Sequence, residues 1–344
     1  MTVKVASFAK INLGLRIGAL RPDGFHELRT VYQTIALHDT IHVSVRRGSG
    51  IEIHCDNSRV PTDETNTCYR IVERAMPVLK ARGRVQIEIE KRLPVQGGLG
   101  GASGNAVAAL LALELALKKK LSGEDRLRIA AGVGSDLPLF FVGGTVLGVG
   151  RGEEVYPLPD LPAMPCVIAL PEIAVSTPRA FADWDRLCGE GARPHTAFSS
   201  PITGSKLTSP SRSDRMLESS RVISAWLNAV PGNASRRRSG VSAKGGGRAE
   251  NPLLDLVRTG IENDFERVVF PQYPELREVK GVLERAGARY ASLSGSGSAI
   301  YGVFDSRAKA TAAVSKLNKR GTRAVVTSTL TRRQYWRKLQ AVSN

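Results

Sequence analysis

Residues 97–104 form the segment whose composition most directly suggests chemistry. They include five glycines and one serine and lead directly into a run of alanine and leucine residues. Glycine lets the backbone approach a ligand closely and adopt positive φ, so consecutive N–H groups can converge on an anion. A helix beginning there would add its unsatisfied amides and the positive end of its dipole. The segment predicts a phosphate-binding loop; the alternative is a flexible turn between a strand and a helix.

Three known phosphate-binding patterns do not match this segment. No GxxxxGK[ST] sequence occurs, which excludes a P-loop as that motif is normally written. A dinucleotide fold needs GxGxxG and an acidic residue about 20 positions later. This chain instead has Ser103 at the last glycine position and three lysines, 118–120, after the predicted helix. The HRD and DFG patterns of protein kinases are also absent.

Two charged residues could take part in proton and phosphoryl transfer. Asp136 stands at a helix or turn start, where exposed N–H groups would keep it ionised and able to act as a general base. Lys10 could offset charge on transferring oxygens. Each also has an ordinary interpretation, because Asp136 could simply cap a helix before Pro138 and Lys10 could be a surface lysine. The residues alone favour the ordinary interpretations.

Aromatic and imidazole side chains give a third set of candidates. The rings of Phe25 and Phe181 could stack on a nucleobase, a contact worth roughly 1–3 kcal/mol. His26 could donate to or accept from the edge of a base. Without further information, a core position is the favoured interpretation of each phenylalanine, and an isolated histidine is usually structural or on the surface.

The hydrophobic patterning predicts the elements that would position these residues. Apolar and polar residues alternate, as in half-buried strands, at 41–45, 51–53 and 84–91. An apolar strand is predicted at 166–170, a strand–turn at 291–304, and helices at 67–79, 105–117, 124–131, 251–258, 275–286 and 307–319. The proline-rich run 156–165 is predicted to be a linker between domains. Strands and helices without regular βαβ alternation predict an α+β fold.

The net charge of +17 suggests a nucleic-acid or membrane partner, but most of it lies in two segments. Residues 201–248 carry nine basic and two acidic side chains, and residues 319–344 carry seven basic and no acidic ones. The first segment is rich in Ser, Gly and Arg, as solvated loops are. The second is expected to be a frayed or surface-packed tail. A nucleic-acid-binding protein is therefore the less favoured interpretation.

The sequence also indicates a compartment. No apolar run approaches the roughly 18–20 residues needed to cross a bilayer, and Lys10 and Asn12 interrupt the region where a signal peptide is apolar. Four cysteines without CxxC spacing predict reduced thiols and no zinc site. We therefore expect a cytoplasmic protein with no membrane partner.

Three segments, in this order, resemble those of the galactokinase, homoserine kinase, mevalonate kinase and phosphomevalonate kinase (GHMP) superfamily. They are residues 9–13 (AKINL), residues 94–106 and residues 293–298 (LSGSGS). The stretches FAKINLGLRIGALRPDGFHEL, DETNTCYRI, GVGSDLPLFFVGG and NDFERVVFPQYPELREVK resemble the branch that acts on a cytidine diphosphate-linked methylerythritol. The resemblance covers most of the chain, except about residues 190–250 and the last two dozen.

The resemblance implies a two-domain α+β fold with ATP and substrate meeting in the cleft between the domains. Residues 1–157 would form an N-terminal domain like ribosomal protein S5, carrying the phosphate loop and the catalytic pair. Residues 158–344 would form a ferredoxin-like C-terminal domain with a basic insertion near 190–250 and a basic tail.

The implied activity is ATP-dependent phosphorylation of the 2-hydroxyl of 4-diphosphocytidyl-2-C-methyl-D-erythritol, in the non-mevalonate route to isoprenoid precursors. Magnesium would be carried with ATP. Another GHMP small-molecule kinase, such as homoserine kinase, is the alternative within the superfamily. The protein would be a monomer or a homodimer.

Matching positions imply the site residues. Lys10 and Asp136 would be the catalytic pair. ATP would be bound by Asn66, Pro94, Val95, Gln96, Gly97, Gly98, Leu99, Gly100, Gly101, Ala102, Ser103 and Gly104. The substrate would contact Asn12, Phe25, His26 and Phe181. The third motif, which would support the cleft, comprises Gly295, Ser296 and Gly297.

The chain departs from the family pattern at several of these positions. Phe25 replaces the commoner tyrosine, which keeps the aromatic face and loses a hydroxyl. Within the loop, Gln96, Ala102 and Gly104 replace Gly, Gly and Ser. Ser103 alone would therefore supply any hydroxyl ligand, and the other donors would be backbone amides.

Overall fold

The computed structural model describes residues 2–95, 97–189 and 261–340. Its strands are β1 (Thr2–Leu20), β2 (His26–Arg46), β3 (Ile51–His54), β4 (Arg84–Glu90), β5 (Thr145–Val149), β6 (Glu154–Pro157), β7 (Pro165–Leu170), β8 (Tyr290–Leu293), β9 (Ile300–Val303) and β10 (Arg323–Ser328). Its helices are α1 (Thr67–Val78), α2 (Gly101–Leu117), α3 (Gly123–Val133), α4 (Thr177–Cys188), α5 (Glu266–Gln272), α6 (Pro274–Arg285), α7 (Arg307–Asn318) and α8 (Arg332–Gln340), with a 3-10 helix at Pro138–Phe141. Helices packed on two separate sheets confirm the α+β prediction.

A six-stranded sheet forms the first half of the fold. Its order is β3-β4-β2-β5-β6, and β1 pairs along β2. β1 and β2 make a long antiparallel hairpin, in which Thr2 lies opposite Ser44 and Leu20 opposite His26. α2 packs between this hairpin and α1. Because α2 is apolar nearly all round, residues 104–114 are all buried.

A four-stranded antiparallel sheet, in the order β10-β7-β9-β8, forms the second half. α6 and α7 pack against it. Their apolar stripes, which include Leu283 and Leu317, bury against the sheet in a core that also contains Leu15 and Ile17 of β1. The first strand of the chain therefore contributes to the second core.

β1 lies between the two halves and is buried on both faces. Phe8 belongs to the core under α2, while Ile11 and Leu13 pack with Ile168 and Tyr301 of the second sheet. A strand buried on both sides has no reason to alternate apolar and polar residues. This explains why the alternating pattern predicted a strand only from residue 41.

Most predicted elements correspond to observed ones, with two differences in extent. The helix predicted from residue 105 begins at Gly101, so the end of the glycine segment is its first turn. The predicted linker at 156–165 includes the end of β6, and its residues Leu158, Leu161 and Met164 are buried. The helix predicted at 251–258 lies outside the described residues.

The basic C-terminal segment was expected to be frayed or surface-packed, and its residues 332–340 are packed: they form α8, which docks onto the first half. The hydroxyl of Tyr335 donates to the carbonyl of Phe140 at 2.7 Å, and Nε1 of Trp336 donates to the carbonyl of Val142 at 3.1 Å. Tyr335 and Leu339, four residues apart, are both buried. The aromatic and leucine residues between the arginines form an apolar helix face, which the charge count alone did not indicate.

Across the three described ranges, no helix combines the length and apolar character that a bilayer crossing requires. The four cysteines, Cys55, Cys68, Cys166 and Cys188, are all described and form no disulfide. Burial raises the pKa of the Cys68 thiol to about 12.

Candidate active site

The predicted phosphate-binding loop, residues 94–104, joins β4 to α2. Gly98 and Gly100 have φ values of +71° and +69°. A Cβ on Gly98 would lie 2.0 Å from the carbonyl oxygen of Ser294, and a Cβ on Gly100 would lie 2.9 Å from Cγ of Lys10. Backbone conformation and close packing therefore both require glycine at these two positions.

The amino terminus of α2 adjoins a cavity of about 340 Å³. The helix has Gly100 as its N-cap, so no capping side chain satisfies its first amides. The cavity lining includes Asn66, Lys91, Asn105 and the loop residues 94–95 and 97–103. Free amides and the positive helix end suit an anionic ligand. Gln96 lies outside the described part of the chain.

Asn66 and Gly104 occupy structural positions at the edge of this site. Oδ1 of Asn66 caps α1 by accepting from the Cys68 amide at 2.8 Å, and its Nδ2 donates to the carbonyl of Pro61 at 2.6 Å. Gly104 faces the core, where a Cβ would lie 2.8 Å from the carbonyl oxygen of Phe8. Asn66 lines the cavity, but both its side-chain oxygen and its side-chain nitrogen are already hydrogen bonded.

The two predicted catalytic residues are brought together beside the loop. Nζ of Lys10 lies 3.3 Å from Oδ2 of Asp136. The Lys10 side chain is 4% exposed and that of Asp136 is 34% exposed. Asp136 does not cap the following 3-10 helix, since the N-cap there is Leu137 and makes no side-chain bond. The pair therefore combines a buried ammonium group with a carboxylate that a ligand can reach.

Tyr32 is a third member of this cluster, which the sequence did not indicate. Its hydroxyl donates to Oδ1 of Asp136 at 3.0 Å. Burial and the negative charge of Asp136 raise the pKa of the Tyr32 phenol well above its usual value. The phenol therefore stays neutral and keeps donating to the carboxylate. In the sequence, Tyr32 is a single tyrosine in a strand, which is too common a feature to indicate a functional site.

Asn12 orients Lys10 from the same strand. Its Oδ1 accepts from Nζ of Lys10 at 2.7 Å, and its Nδ2 donates to Oγ1 of Thr30 at 2.7 Å. The hydroxyl of Tyr301, on the second sheet, donates to the carbonyl of Asn12 at 2.8 Å. Predicted as a substrate contact, Asn12 is hydrogen bonded here to Lys10.

The third predicted motif packs directly on the phosphate loop. Oγ of Ser294 donates to the carbonyl of Gly98 at 2.9 Å. Nδ2 of Asn263 donates to the carbonyl of Gly295 at 2.8 Å, which holds the turn from behind. Oγ of Ser296 lies 2.7 Å from Oγ1 of Thr177, at the start of α4. Gly295, Ser296 and Gly297 thus stand where the second half of the molecule meets the loop.

Asp39 fastens both ends of the phosphate loop and was not singled out from the sequence. Its buried carboxylate accepts from the ammonium of Lys91, at the loop entrance, and from Nδ2 of Asn105 at 3.0 Å, in α2. It also accepts from the amides of Arg92 and Leu93, each at 2.7 Å. The only feature of the sequence that could have indicated this role is that Asp39 is a charged residue inside a strand.

The three residues predicted to recognise cytosine lie just before β2, at the start of β2 and in α4. Phe25 is 50% exposed, with the guanidinium of Arg151 at 4.9 Å from its ring centre. The rings of His26 and Phe181 stack at 4.9 Å with 9° between their planes. Phe181 also meets Phe265 edge-on at 4.9 Å. His26 therefore covers one face of Phe181, and Phe25 is the more open ring.

Comparison with known proteins identifies both halves. The family model for the GHMP kinases N terminal domain matches residues 66–144, and the model for the GHMP kinases C terminal matches residues 250–323. A 4-diphosphocytidyl-2-C-methyl-D-erythritol kinase of Solibacter usitatus is 37% identical over 308 residues, or 88% of this chain and 81% of the relative.

Solved structures agree with this assignment. A crystal structure of 4-(cytidine 5'-diphospho)-2C-methyl-D-erythritol kinase has a TM-score of 0.67 at 27% identity, covering 95% of this chain and 98% of that one. Homoserine kinase from Cytophaga hutchinsonii has a TM-score of 0.64 at 20% identity, covering 96% and 95%, which is a likeness of fold alone. From its sequence identity and from the arrangement of its three motifs, this chain belongs to the 4-diphosphocytidyl-2-C-methyl-D-erythritol kinase family of the GHMP kinases.

Proposed function

We propose that the protein transfers the γ-phosphoryl group of ATP to the 2-hydroxyl of 4-diphosphocytidyl-2-C-methyl-D-erythritol, giving ADP and the 2-phosphate. The reaction would serve isoprenoid precursor biosynthesis. The observation that carries the proposal is the pairing of Lys10 with Asp136 at 3.3 Å, beside a glycine loop whose Leu99 carbonyl accepts from the Lys10 amide at 2.9 Å. The substrate is the one for which its relatives are named.

In this proposal, the loop and the amino terminus of α2 bind the phosphates of ATP. Phosphoryl transfer needs positioning and neutralisation of charge more than covalent help from the protein. The uncapped amides after Gly100 supply fixed donors. Ser103 supplies a hydroxyl at the cavity wall, and Lys91 adds a positive charge there.

Asp136 would accept the proton of the substrate hydroxyl as the alcohol attacks the γ-phosphorus. Its partly exposed carboxylate can reach a ligand, and hydrogen bonding from the neutral Tyr32 fixes its orientation. The Lys10 ammonium, held by Asn12, stabilises negative charge that develops on the transferring oxygens.

Magnesium would arrive with ATP. In the described part of the chain, no group of three or more His, Cys, Asp or Glu side chains is arranged to hold a metal ion. This donor set fits an ion carried mainly by phosphate oxygens and water, which is usual for Mg²⁺ with nucleotides. When bound, the ion would neutralise charge on the phosphates.

The cytidine end of the substrate would lie against Phe25, His26 and Phe181. Phe25 offers the exposed ring face, and His26 offers a hydrogen-bonding edge. Phe181 would act through the ring of His26 or, after displacing it, as a second stacking surface.

Several coarser expectations remain part of this proposal. They are a cytoplasmic location, a monomeric or homodimeric state, and domains at residues 1–157 and 158–344. Another GHMP kinase activity is supported only by fold likeness. A nucleic-acid-binding role has little support, because residues 201–248 and 319–344 carry most of the excess positive charge and the rest of the chain is nearly neutral.

A coupled ADP-release assay tests the function. We expect ATP-dependent ADP release with 4-diphosphocytidyl-2-C-methyl-D-erythritol and none above background with homoserine or mevalonate. Release with homoserine at an equal or higher kcat/KM would contradict the proposal, and so would strong salt-dependent RNA binding without ATP turnover.

A further inference from the structure

His26, at the start of β2, is held by two residues of α4. Its side chain is only 6% exposed. The ring of Phe181 stacks on it at 4.9 Å, which fixes the plane of the imidazole. Oδ1 of Asp185 lies 2.8 Å from Nε2 of His26, which fixes the rotation of the ring within that plane.

The carboxylate of Asp185 also determines which nitrogen of His26 carries the proton. An ionised carboxylate only accepts hydrogen bonds, so the neutral imidazole must donate from Nε2. Nδ1 then keeps its lone pair and is an acceptor. Within the described residues, Nδ1 makes no hydrogen bond. The atom is also not fully buried. It can therefore accept from a ligand.

We propose that Asp185 sets the base specificity of the substrate site by keeping Nδ1 of His26 as an acceptor for the exocyclic amino group of cytosine. This inference rests on the proposed function. Cytosine presents an amino donor where uracil presents a carbonyl acceptor. Uracil would place its oxygen against the Nδ1 lone pair, and an unpaired buried acceptor is costly. Asp185 is a positioning residue, since it acts through His26.

The Asp185→Asn variant tests this inference. An asparagine amide can either accept from or donate to Nε2, so it no longer imposes a tautomer. We expect KM for the cytidine-linked substrate to rise more than kcat falls, because the variant weakens recognition of the base. The ratio of kcat/KM for the cytidine-linked substrate to that for its uridine-linked analogue should fall about tenfold or more.

Asp183→Asn is the matched control on the same helix. Asp183 accepts from Gln272 at 2.6 Å and pairs with Arg186, away from His26. This variant should keep the wild-type ratio. If Asp183→Asn changes the ratio as much as Asp185→Asn does, the inference is overturned. The change would then come from a disturbance of α4 and not from the tautomer of His26.

A second measurement does not depend on any variant. Nitrogen-15 NMR of the wild-type imidazole near pH 8 should show the His26 proton on Nε2. A proton on Nδ1 would overturn the inference even if Asp185→Asn fails to fold. Suppose that the wild-type protein uses the cytidine-linked substrate and that a folded Asp185→Asn variant keeps the wild-type ratio of kcat/KM values. That result would overturn this inference and leave the proposed function standing. A wild-type protein that does not use the cytidine-linked substrate would overturn the proposed function and this inference with it.

Discussion

Burying the ammonium group of Lys10 is costly unless the charge is paired and hydrogen bonded. Oδ1 of Asn12 and the carboxylate of Asp136 both contact Nζ, so the cost is offset inside the site. The Asp136 side chain stays 34% exposed. In the proposed mechanism this exposure lets the substrate hydroxyl reach the proton acceptor, while the charge stabiliser beside it stays buried.

The Asp136→Asn variant should fold normally and lose turnover. An amide cannot take the proton of the alcohol, so kcat should fall by about 10²- to 10⁴-fold with little change in KM for ATP. Steady-state ADP release measures both parameters. Asp305→Asn is the control, since Asp305 has the same 34% side-chain exposure but pairs with Arg289 and Lys309 away from the site. Near-wild-type turnover of folded Asp136→Asn would remove the general-base assignment.

The Tyr32→Phe variant should lower kcat by about tenfold, because Asp136 loses one fixed hydrogen bond that orients it. The raised pKa of the Tyr32 phenol means that it stays protonated at assay pH. The wild-type rate should therefore show no tyrosine ionisation up to pH 10. Tyr290→Phe, which removes a hydroxyl that donates to the carbonyl of Ile261 at 3.2 Å, should leave kcat unchanged. A rate that drops as pH approaches 10 in the wild type, but not in Tyr32→Phe, would contradict the assignment.

At the scale of elements, the site depends on a loop fixed at three places. Asp39 holds its entrance at Lys91 and its exit at Asn105. Ser294 of the second half holds the middle, at Gly98. Backbone amides can serve as preorganised donors only if the loop does not need to be ordered by its ligand. Three anchors on two different sheets provide that rigidity.

The Gly98→Ala variant should disrupt this arrangement. Its Cβ would lie 2.0 Å from the carbonyl oxygen of Ser294, and its φ of +71° is unfavourable for alanine. We expect KM for ATP to rise about tenfold or more and the free energy of unfolding to fall by about 1–3 kcal/mol. Urea denaturation and ATP titration measure these effects. Gly123→Ala is the control, because a Cβ there would meet no atom within 4 Å. A wild-type KM for ATP in Gly98→Ala would show that the loop does not hold the nucleotide.

The position of the glycine loop was predictable from sequence, because its glycines follow one another along the chain and their conformational freedom is a local property; that the loop binds phosphate stays a prediction. The strands at 41–45 and 84–91 were predictable for the same reason, since one face of each is polar. β1 was not, because burial on both faces removes the alternation. Asp39 and Tyr32 were missed because their partners are far along the chain. The pairing of Lys10 with Asp136 came from family resemblance, as nothing local to either residue indicates the other.

At the scale of the whole molecule, the two ends of the chain meet behind the site. β1 carries Lys10 and is buried between both halves. α8 returns from the second half and packs beneath the 3-10 helix that follows Asp136. The ring of Phe140, in that 3-10 helix, would lie 3.1 Å from a Cβ on Gly100. The C-terminal helix therefore supports the wall of the phosphate loop, and a domain boundary drawn at residue 158 separates it from the core it completes.

Tyr335 is the residue through which this support acts. Its ring packs 5.4 Å from that of Phe8, and its hydroxyl holds the carbonyl of Phe140. Tyr335→Ala leaves a cavity under the loop, so the free energy of unfolding should fall by about 3 kcal/mol, and kcat should fall with it. Tyr335→Phe keeps the ring and loses one hydrogen bond, so its unfolding free energy should fall by only about 1 kcal/mol.

Arg333→Ala is the matched control, because Arg333 is exposed on the same helix. Its unfolding free energy should stay within about 0.5 kcal/mol of wild type. Urea denaturation at 25 °C and steady-state kinetics compare the three variants. If Tyr335→Ala unfolds at the same urea concentration as Arg333→Ala, α8 does not stabilise the first half. If Tyr335→Ala is destabilised but turns over normally, the wall formed by Phe140 keeps its place without Tyr335. In that case α8 contributes to folding and does not shape the loop.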